Sequence, residues 1–202
     1  MKDICVWMVC LCGIFFGSCY VYKIKSRKAV PTTSTWLIFL VGSGLSFITY
    51  LIAENKDWRS GILNIVDAVY IVFVLAVIFL YTDHKIRFKP FEKWYLAGAG
   101  LIVAYGLATG NAWRSNVLTQ VLMSLAYLPM FHKMISEKEK KDSYFAWTPQ
   151  IFIAVIAMYP AVHEGNSLAV IYASRSLFFS LLTTFLMLYF QVRAKRVAPA
   201  TK

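Results

Sequence analysis

Seven long stretches of mostly apolar residues account for most of this 202-residue chain. A helix of about 17 to 25 apolar residues crosses a hydrocarbon core roughly 30 Å thick, and a backbone in that core must satisfy its own hydrogen bonds. The stretches do not alternate as barrel strands do, so we predict an all-α, polytopic membrane protein with seven transmembrane helices. The predicted spans are residues 4–22, 33–53, 61–82, 94–110, 116–135, 147–162 and 167–192.

The composition agrees with the membrane class. Hydrophobic residues make up 59% of the chain and charged residues only 15%, too few to give a soluble domain of this size a polar coat. No linker or low-complexity stretch divides the chain. We therefore predict one membrane domain over residues 1–202.

The basic residues are distributed unevenly between the two faces that the spans define. Of the 21 Lys and Arg residues, sixteen lie in the first, third and fifth loops and the C-terminal tail, and four lie on the opposite face. This is the positive-inside bias. It predicts a cell (inner or plasma) membrane protein with its N-terminus outside and its C-terminus in the cytoplasm. Because the basicity has this topological cause, we do not expect nucleic-acid binding.

Two residues of opposite charge lie inside predicted spans at matching places. Asp67 lies in the third span and Arg175 in the seventh, each fourteen residues before a tyrosine, Tyr81 or Tyr189. A charge inside a bilayer costs roughly 3 kcal/mol on insertion scales, so it normally faces a partner or a polar cavity. The sequence leaves three roles open: contact with a solute, a salt bridge that locks one conformation, or a permanent structural pair.

Polar residues near the two charges complete the predicted site. Helical spacing places several of them on the faces that carry Asp67 and Arg175, and Gln120 lies in the fifth span. The predicted substrate-binding residues are Asp67, Arg175, Asn64, Tyr70, Tyr172 and Gln120.

The order of spans and loops indicates an internal repeat. A triplet over residues 4–82 recurs over residues 116–192, and a single span at 94–110 separates the two copies. Three spans reverse the sidedness of the chain, so a linking helix is needed if both triplets are to run the same way. Parallel repeats of this kind are one plan for membrane transporters.

A short segment carries a resemblance to a known group of proteins. Residues 125–133 (LAYLPMFHK), followed by Asp142, Ser143 and Trp147, resemble the repeat of the PQ-loop and SWEET superfamily. Met130 stands where that repeat usually has Gln. The resemblance implies transport of small solutes through a site between the two triplets.

Prolines and cysteines receive mostly structural interpretations. Pro129 removes one helical hydrogen bond within the fifth span, so it is a candidate hinge or a static kink. Pro149 and Gln150 open the sixth span, where proline is tolerated, and are interpreted as structural.

The four cysteines all lie in the first span without histidine or acidic residues, as packing residues do. We therefore expect no metal and no cofactor.

Enzyme motifs are absent from the sequence, including metal-protease and phosphate-loop patterns, and we predict no enzymatic activity. The leading function is a small polar-solute transporter that works by alternating access around a midplane site. The alternative is a non-transporting membrane subunit that docks a cytoplasmic or membrane partner through its basic loops. The expected partners are a small-molecule solute and the lipid bilayer, and the sequence is compatible with a homo-oligomer.

The topology can be tested with reporter fusions. Fusions after Lys28, Lys89, Lys140 and Lys202 should report cytoplasm, because each follows a basic segment. Fusions after Lys56 and Asn111 should report the outside. A single basic loop found outside contradicts the seven-span topology.

Overall fold

The computed structural model describes residues 1–27, 33–53, 58–81, 90–137 and 144–197. All the regular structure in these residues is helical. The helices are α1 (Lys2–Lys25), α2 (Thr33–Ala53), α3 (Ile62–Tyr81), α4 (Pro90–Thr109), α5 (Ala112–Leu125), α6 (Leu128–Glu137), α7 (Tyr144–His163) and α8 (Ser167–Val197). Nine of the twenty basic residues behind the topology prediction lie in segments 28–32, 54–57, 82–89, 138–143 and 198–202, outside the described residues.

Four of these helices are long and apolar enough to cross a membrane. They are Lys2–Lys25, Trp36–Ala53, Ile62–Tyr81 and Ser167–Arg193. Their bounds lie close to those of the first, second, third and seventh predicted spans. The prediction of an all-helical chain with membrane-spanning helices is therefore confirmed at this level.

The fifth predicted span is interrupted. Helix α5 ends at Leu125, a turn follows at Ala126 and Tyr127, and α6 begins at Leu128. Pro129 has no backbone N–H with which to continue the α5 ladder, but a proline fits in the first turn of a helix. The break thus falls in the turn before the proline, where its effect on the backbone is expected.

The helices pack in a consistent pattern. Helix α3 contacts both α1 and α2, and α8 contacts both α5 and α7. Between these groups, α1 packs on α7, α2 packs on α5, and α3 touches α8. Helix α4 lies against α2 and α5. The middle of α8 is therefore surrounded by helices from both halves of the chain.

Small residues allow α1 and α3 to approach closely. A Cβ added at Gly13 would collide with a methyl group of Val66, and one at Gly17 would lie 3.2 Å from the ring of Tyr70. Valine is stiff at χ1, so it has little freedom to move away. The Gly-x-x-x-Gly spacing of α1 thus serves as a close helix contact.

Ion pairs join the start of α1 to neighbouring turns. The Nζ of Lys2 lies 2.7 Å from Oε1 of Glu164 in the α7–α8 turn, and Asp3 lies 4.0 Å from Arg59. The hydrogen bond from Lys2 lowers the pKa of the Glu164 carboxyl. Because these groups are largely exposed, their contribution to stability is small.

Replacing Gly13 tests the α1–α3 contact. Gly13→Ala should lower the free energy of unfolding by about 1–3 kcal/mol, the usual cost of overpacking, although alanine is the better helix former. The matched control is Gly100→Ala, because a Cβ at Gly100 meets nothing within 4 Å. Thermal unfolding in detergent measures both, and Val66→Ala should restore the Gly13→Ala protein.

Candidate functional site

Polar side chains that are buried or half-buried between the helices form one hydrogen-bonded network. Its members come from five helices: α2, α3, α5, α7 and α8. We call it the central network, and its members are Ser46, Asn64, Asp67, Asn116, Gln120, Gln150, Tyr172, Arg175 and Ser176.

One arm of the central network begins at Ser46 on α2. The Oγ of Ser46 accepts hydrogen bonds from Asn64 Nδ2 at 3.0 Å and from Gln120 Nε2 at 2.8 Å. Asn116 Nδ2 donates to the Ser46 carbonyl at 2.7 Å and to Thr49 Oγ1 at 3.0 Å. Four buried polar residues thereby join α2, α3 and α5.

Gln120 has a fixed orientation within this arm. Its Nε2 donates to Ser46 and, at 3.2 Å, to Asn116 Oδ1. Its Oε1 is therefore the atom that faces α8, and it accepts from Arg175 Nε at 2.9 Å. Both amide donors and the carbonyl oxygen are used, which leaves a single arrangement for the side chain.

The second arm is built on Asp67. Its Oδ1 accepts from Gln150 Nε2 at 2.9 Å, and its Oδ2 accepts from the hydroxyl of Tyr172 at 2.8 Å. Gln150 Nε2 also donates to Ser176 Oγ at 3.0 Å. Both oxygens of the carboxylate are bonded, so α3, α7 and α8 meet at this residue.

Asp67 and Arg175 do not form a direct ion pair. Among the described residues, no carboxylate oxygen lies within 4.0 Å of the Arg175 guanidinium. Tyr172 connects the two charges instead, because its hydroxyl bonds to Asp67 while the guanidinium lies over its ring, 4.8 Å from the centroid. The interpretation as a permanent, directly paired salt bridge is therefore wrong. A tyrosine one turn before Arg175 occupies the place between the charges.

The structure brings together five of the six residues that the sequence predicted for the site. Asn64, Asp67, Gln120, Tyr172 and Arg175 belong to the central network. That they bind a solute stays a prediction.

Tyr70, the sixth predicted residue, packs in an aromatic cluster. Its ring lies 6.4 Å from that of Tyr20 and 5.7 Å from that of Trp36. Tyr70 follows Asp67 by three residues on α3. Its ring lies against Gly17 of α1, which has no side chain and so leaves room for the ring between the two helices.

Four network residues lie outside the predicted substrate-binding set, namely Ser46, Asn116, Gln150 and Ser176. Gln150 was interpreted as part of a helix start, while Ser46 and Asn116 received no role. The available signal was the four-residue spacing of Asn116 and Gln120, which puts two amides on one face of an apolar helix. A serine in a membrane span carries no comparable signal, because its hydroxyl commonly bonds its own backbone.

The space beside the central network is filled. A cleft lined by Tyr50, Gly61, Asn64, Ala157 and Tyr172, among others, leaves about 0 Å³ for a water molecule. Tyr50 closes one side of it, since its hydroxyl accepts from Asn166 Nδ2 at 2.9 Å. In this conformation the side chains of the network bind one another.

On the side of the break between α5 and α6, aromatic rings pack together. Tyr127 stacks on Phe179 with 4.6 Å between centroids and lies 5.6 Å from Trp147. Phe131 stacks on the same Phe179 at 6.2 Å. The rings of α5–α6, α7 and α8 thus meet directly beside Pro129.

In the part of the chain that the structure describes, no group of three or more His, Cys, Asp or Glu residues could hold a metal ion. The four cysteines are free thiols within α1. Comparison of the chain with protein-family models, curated proteins and solved structures finds no match.

A double-mutant cycle tests the bond between Asp67 and Tyr172. Asp67→Asn and Tyr172→Phe should each lower the free energy of unfolding by about 1–3 kcal/mol, because each leaves a buried partner unpaired. Since the two residues share one bond, their effects should be non-additive by about 0.5–3 kcal/mol. Unfolding in detergent measures all four proteins.

The control cycle combines Asp67→Asn with Arg193→Gln. Arg193 is exposed and lies near the C-terminal end of α8, whereas Tyr172 lies near its start. These two changes should add within about 0.5 kcal/mol. Equal coupling in both cycles contradicts the proposed role of Tyr172.

Proposed function

We propose that this protein is a membrane transporter for a small polar solute, working by alternating access around the central network. The observation that carries the proposal is a network of half-buried charged side chains and mostly buried polar side chains that joins five mainly apolar helices. Such groups are costly inside a bilayer and mark substrate or ion pathways. Packing alone does not require them, because apolar residues of similar volume are often at least as stable.

The proposal includes a duplicated arrangement of seven transmembrane helices. We assign α1, α2 and α3 to one repeat, α5–α6, α7 and α8 to the other, and α4 to the link. The helix contacts support this, because exchanging the repeats turns the α1–α7 contact into the α5–α2 contact, and both exist. In each repeat the third helix packs on the other two. This is the plan implied by the resemblance to the PQ-loop and SWEET superfamily.

The proposed mechanism opens one side of the central network at a time. On one side, the bond from Asn166 to Tyr50 joins the α7–α8 turn to α2. On the other, the rings of Tyr127, Phe179 and Trp147 close the space beside the helix break. Each closure joins different helices, so one can open while the other stays shut. The charge bias supports a cell-membrane location, with the Tyr50 side outside and the Pro129 side in the cytoplasm.

A second candidate is a non-transporting membrane subunit that docks a partner through its basic loops. One observation favours it: the cleft beside Asn64 and Tyr172 leaves no room for water. The two candidates differ in the role of the network. It binds solute in a transporter and only holds helices together in a docking subunit.

Solute flux into proteoliposomes tests the transporter. Purified protein should accelerate the uptake of at least one solute from a panel of sugars, amino acids and organic acids over protein-free vesicles. Tyr172→Phe should reduce this uptake by about tenfold, the effect of about 1.4 kcal/mol, because the ring stays while its hydroxyl is lost.

The matched control is Tyr189→Phe, an exposed tyrosine on the same helix, which should transport normally. Folded wild-type protein that moves no solute would favour the docking subunit, whereas equal uptake by both tyrosine variants would mean that the Tyr172 hydroxyl has no part in transport.

The hinge role of Pro129 has its own test. Pro129→Ala restores the N–H that the α5 ladder lacks, so α5 and α6 should join into a stiffer helix. We expect slower uptake with unchanged or higher thermal stability. The control is Pro160→Ala, in a different helix. Uptake at the wild-type rate in Pro129→Ala would mean that the break is a static kink.

A further inference from the structure

The two charges of the central network are bonded unequally. Asp67 has hydrogen bonds to both carboxylate oxygens, whereas Arg175 uses its Nε on Gln120. A guanidinium has five N–H donors in a planar fork. Most of the donors of Arg175 therefore remain for another group.

Arg175 has no directly bonded negative group among the described residues. No carboxylate there is in ion-pair distance, Asp67 is separated from it by Tyr172, and its neighbours Gln120 and Tyr172 are neutral. Arginine in such a setting commonly binds carboxylate or phosphate with two parallel hydrogen bonds. These surroundings leave the guanidinium of Arg175 in a position to bind an anion that does not belong to the protein.

The neighbours of Arg175 hold the guanidinium in place. Gln120, whose own orientation is fixed by Ser46 and Asn116, accepts from Nε and sets the plane of the fork. The Tyr172 ring supports its face, and the bond to Asp67 holds that ring. The role of Asp67 in this arrangement is to position Tyr172.

A second donor lies close to these residues. The hydroxyl of Tyr95 on α4 is buried and has no hydrogen-bond partner. It lies against Gly42 and Met123, since a Cβ built on Gly42 would be 2.5 Å from the hydroxyl and 3.0 Å from Met123. Gly42 is one turn before Ser46 on α2, and Met123 is three residues after Gln120 on α5. An unpartnered buried hydroxyl is costly, and a polar ligand would satisfy it.

We propose that the solute carries a carboxylate or phosphate group, that Arg175 binds this group, and that Tyr95 donates a further hydrogen bond to it. This deepens the proposed function and rests on it. The positive charge of Arg175 selects the anion, while Asp67, already bonded on both oxygens, makes no contact with the solute.

Thermal-shift titration of the full-length protein in neutral detergent tests the anion site. The probes are acetate, benzoate and inorganic phosphate at constant ionic strength, with acetamide and benzamide as neutral counterparts. At least one anion should stabilise the wild type in a saturable way that its neutral counterpart does not. A soluble anion that does so in lipid-depleted protein excludes a lipid headgroup as the required source.

Three variants assign the effect to residues. Arg175→Lys, which keeps the charge but loses the fork, and Tyr95→Phe should each weaken the apparent affinity by about tenfold, or about 1.4 kcal/mol. Arg175→Gln should abolish the effect. Tyr95→Phe should leave the unliganded protein as stable as the wild type or more so, which a merely structural tyrosine would not do. The control is Arg193→Gln, an exposed arginine, which should bind as the wild type does.

The outcomes separate this inference from the proposed function. Wild-type protein that no anion stabilises beyond its neutral counterpart, or an anion effect that survives in both Arg175 variants, overturns the anion site. Uptake of a neutral solute that persists in Arg175→Gln overturns it as well but leaves the transporter intact. Anion binding that depends on Arg175 without any flux keeps the site and overturns the transporter.

Discussion

The amide of Gln120 is the group on which the centre of the molecule depends. It donates to α2 through Ser46 and accepts from α8 through Arg175, while Asn116 on its own helix takes its second donor. In an apolar interior a lost hydrogen bond is not replaced by water, so each partner left unpaired costs about 1–3 kcal/mol. One side chain therefore fixes the register of three helices, and the packing of the remaining helices follows from that register.

The separation of Asp67 from Arg175 has an energetic meaning. A directly paired buried salt bridge satisfies both ions, although desolvation offsets much of the attraction. Here the carboxylate is satisfied by an amide and a phenol, and the guanidinium by an amide carbonyl and an aromatic face. Neutral groups thus solvate both charges and leave the cation able to exchange partners. A protein that needed only rigidity would gain little from this arrangement.

The sequence predicted the helices and most of the network for physical reasons that are local. Apolar length identified the spans, and the cost of burying charge identified Asp67 and Arg175. Helical spacing then placed Asn64 and Tyr172 beside them. The same spacing groups Tyr70 with the polar residues but does not reveal the packing of Tyr20 and Trp36 around its ring, which is a tertiary property. Gln150 was missed because only the fold shows that the start of α7 reaches Asp67 and Ser176.

A solute that binds at the central network must compete with the hydrogen bonds that its side chains form with one another. The polar groups now bind one another, and the cleft beside Tyr172 has no room for water. In the proposed mechanism, separating α2 and α3 from α5, α7 and α8 would break several hydrogen bonds of the network at once, each costing on the order of 1 kcal/mol or more. A solute lowers this cost only if it offers acceptors and donors of its own to the groups that are released. An anionic group that binds the N–H donors of Arg175 left free by Gln120 would supply such an acceptor, because a charged acceptor forms a stronger bond than a neutral one. The proposed solute thus offsets the cost of opening by adding a charge-assisted bond to a guanidinium that Gln120 and Tyr172 already hold in place.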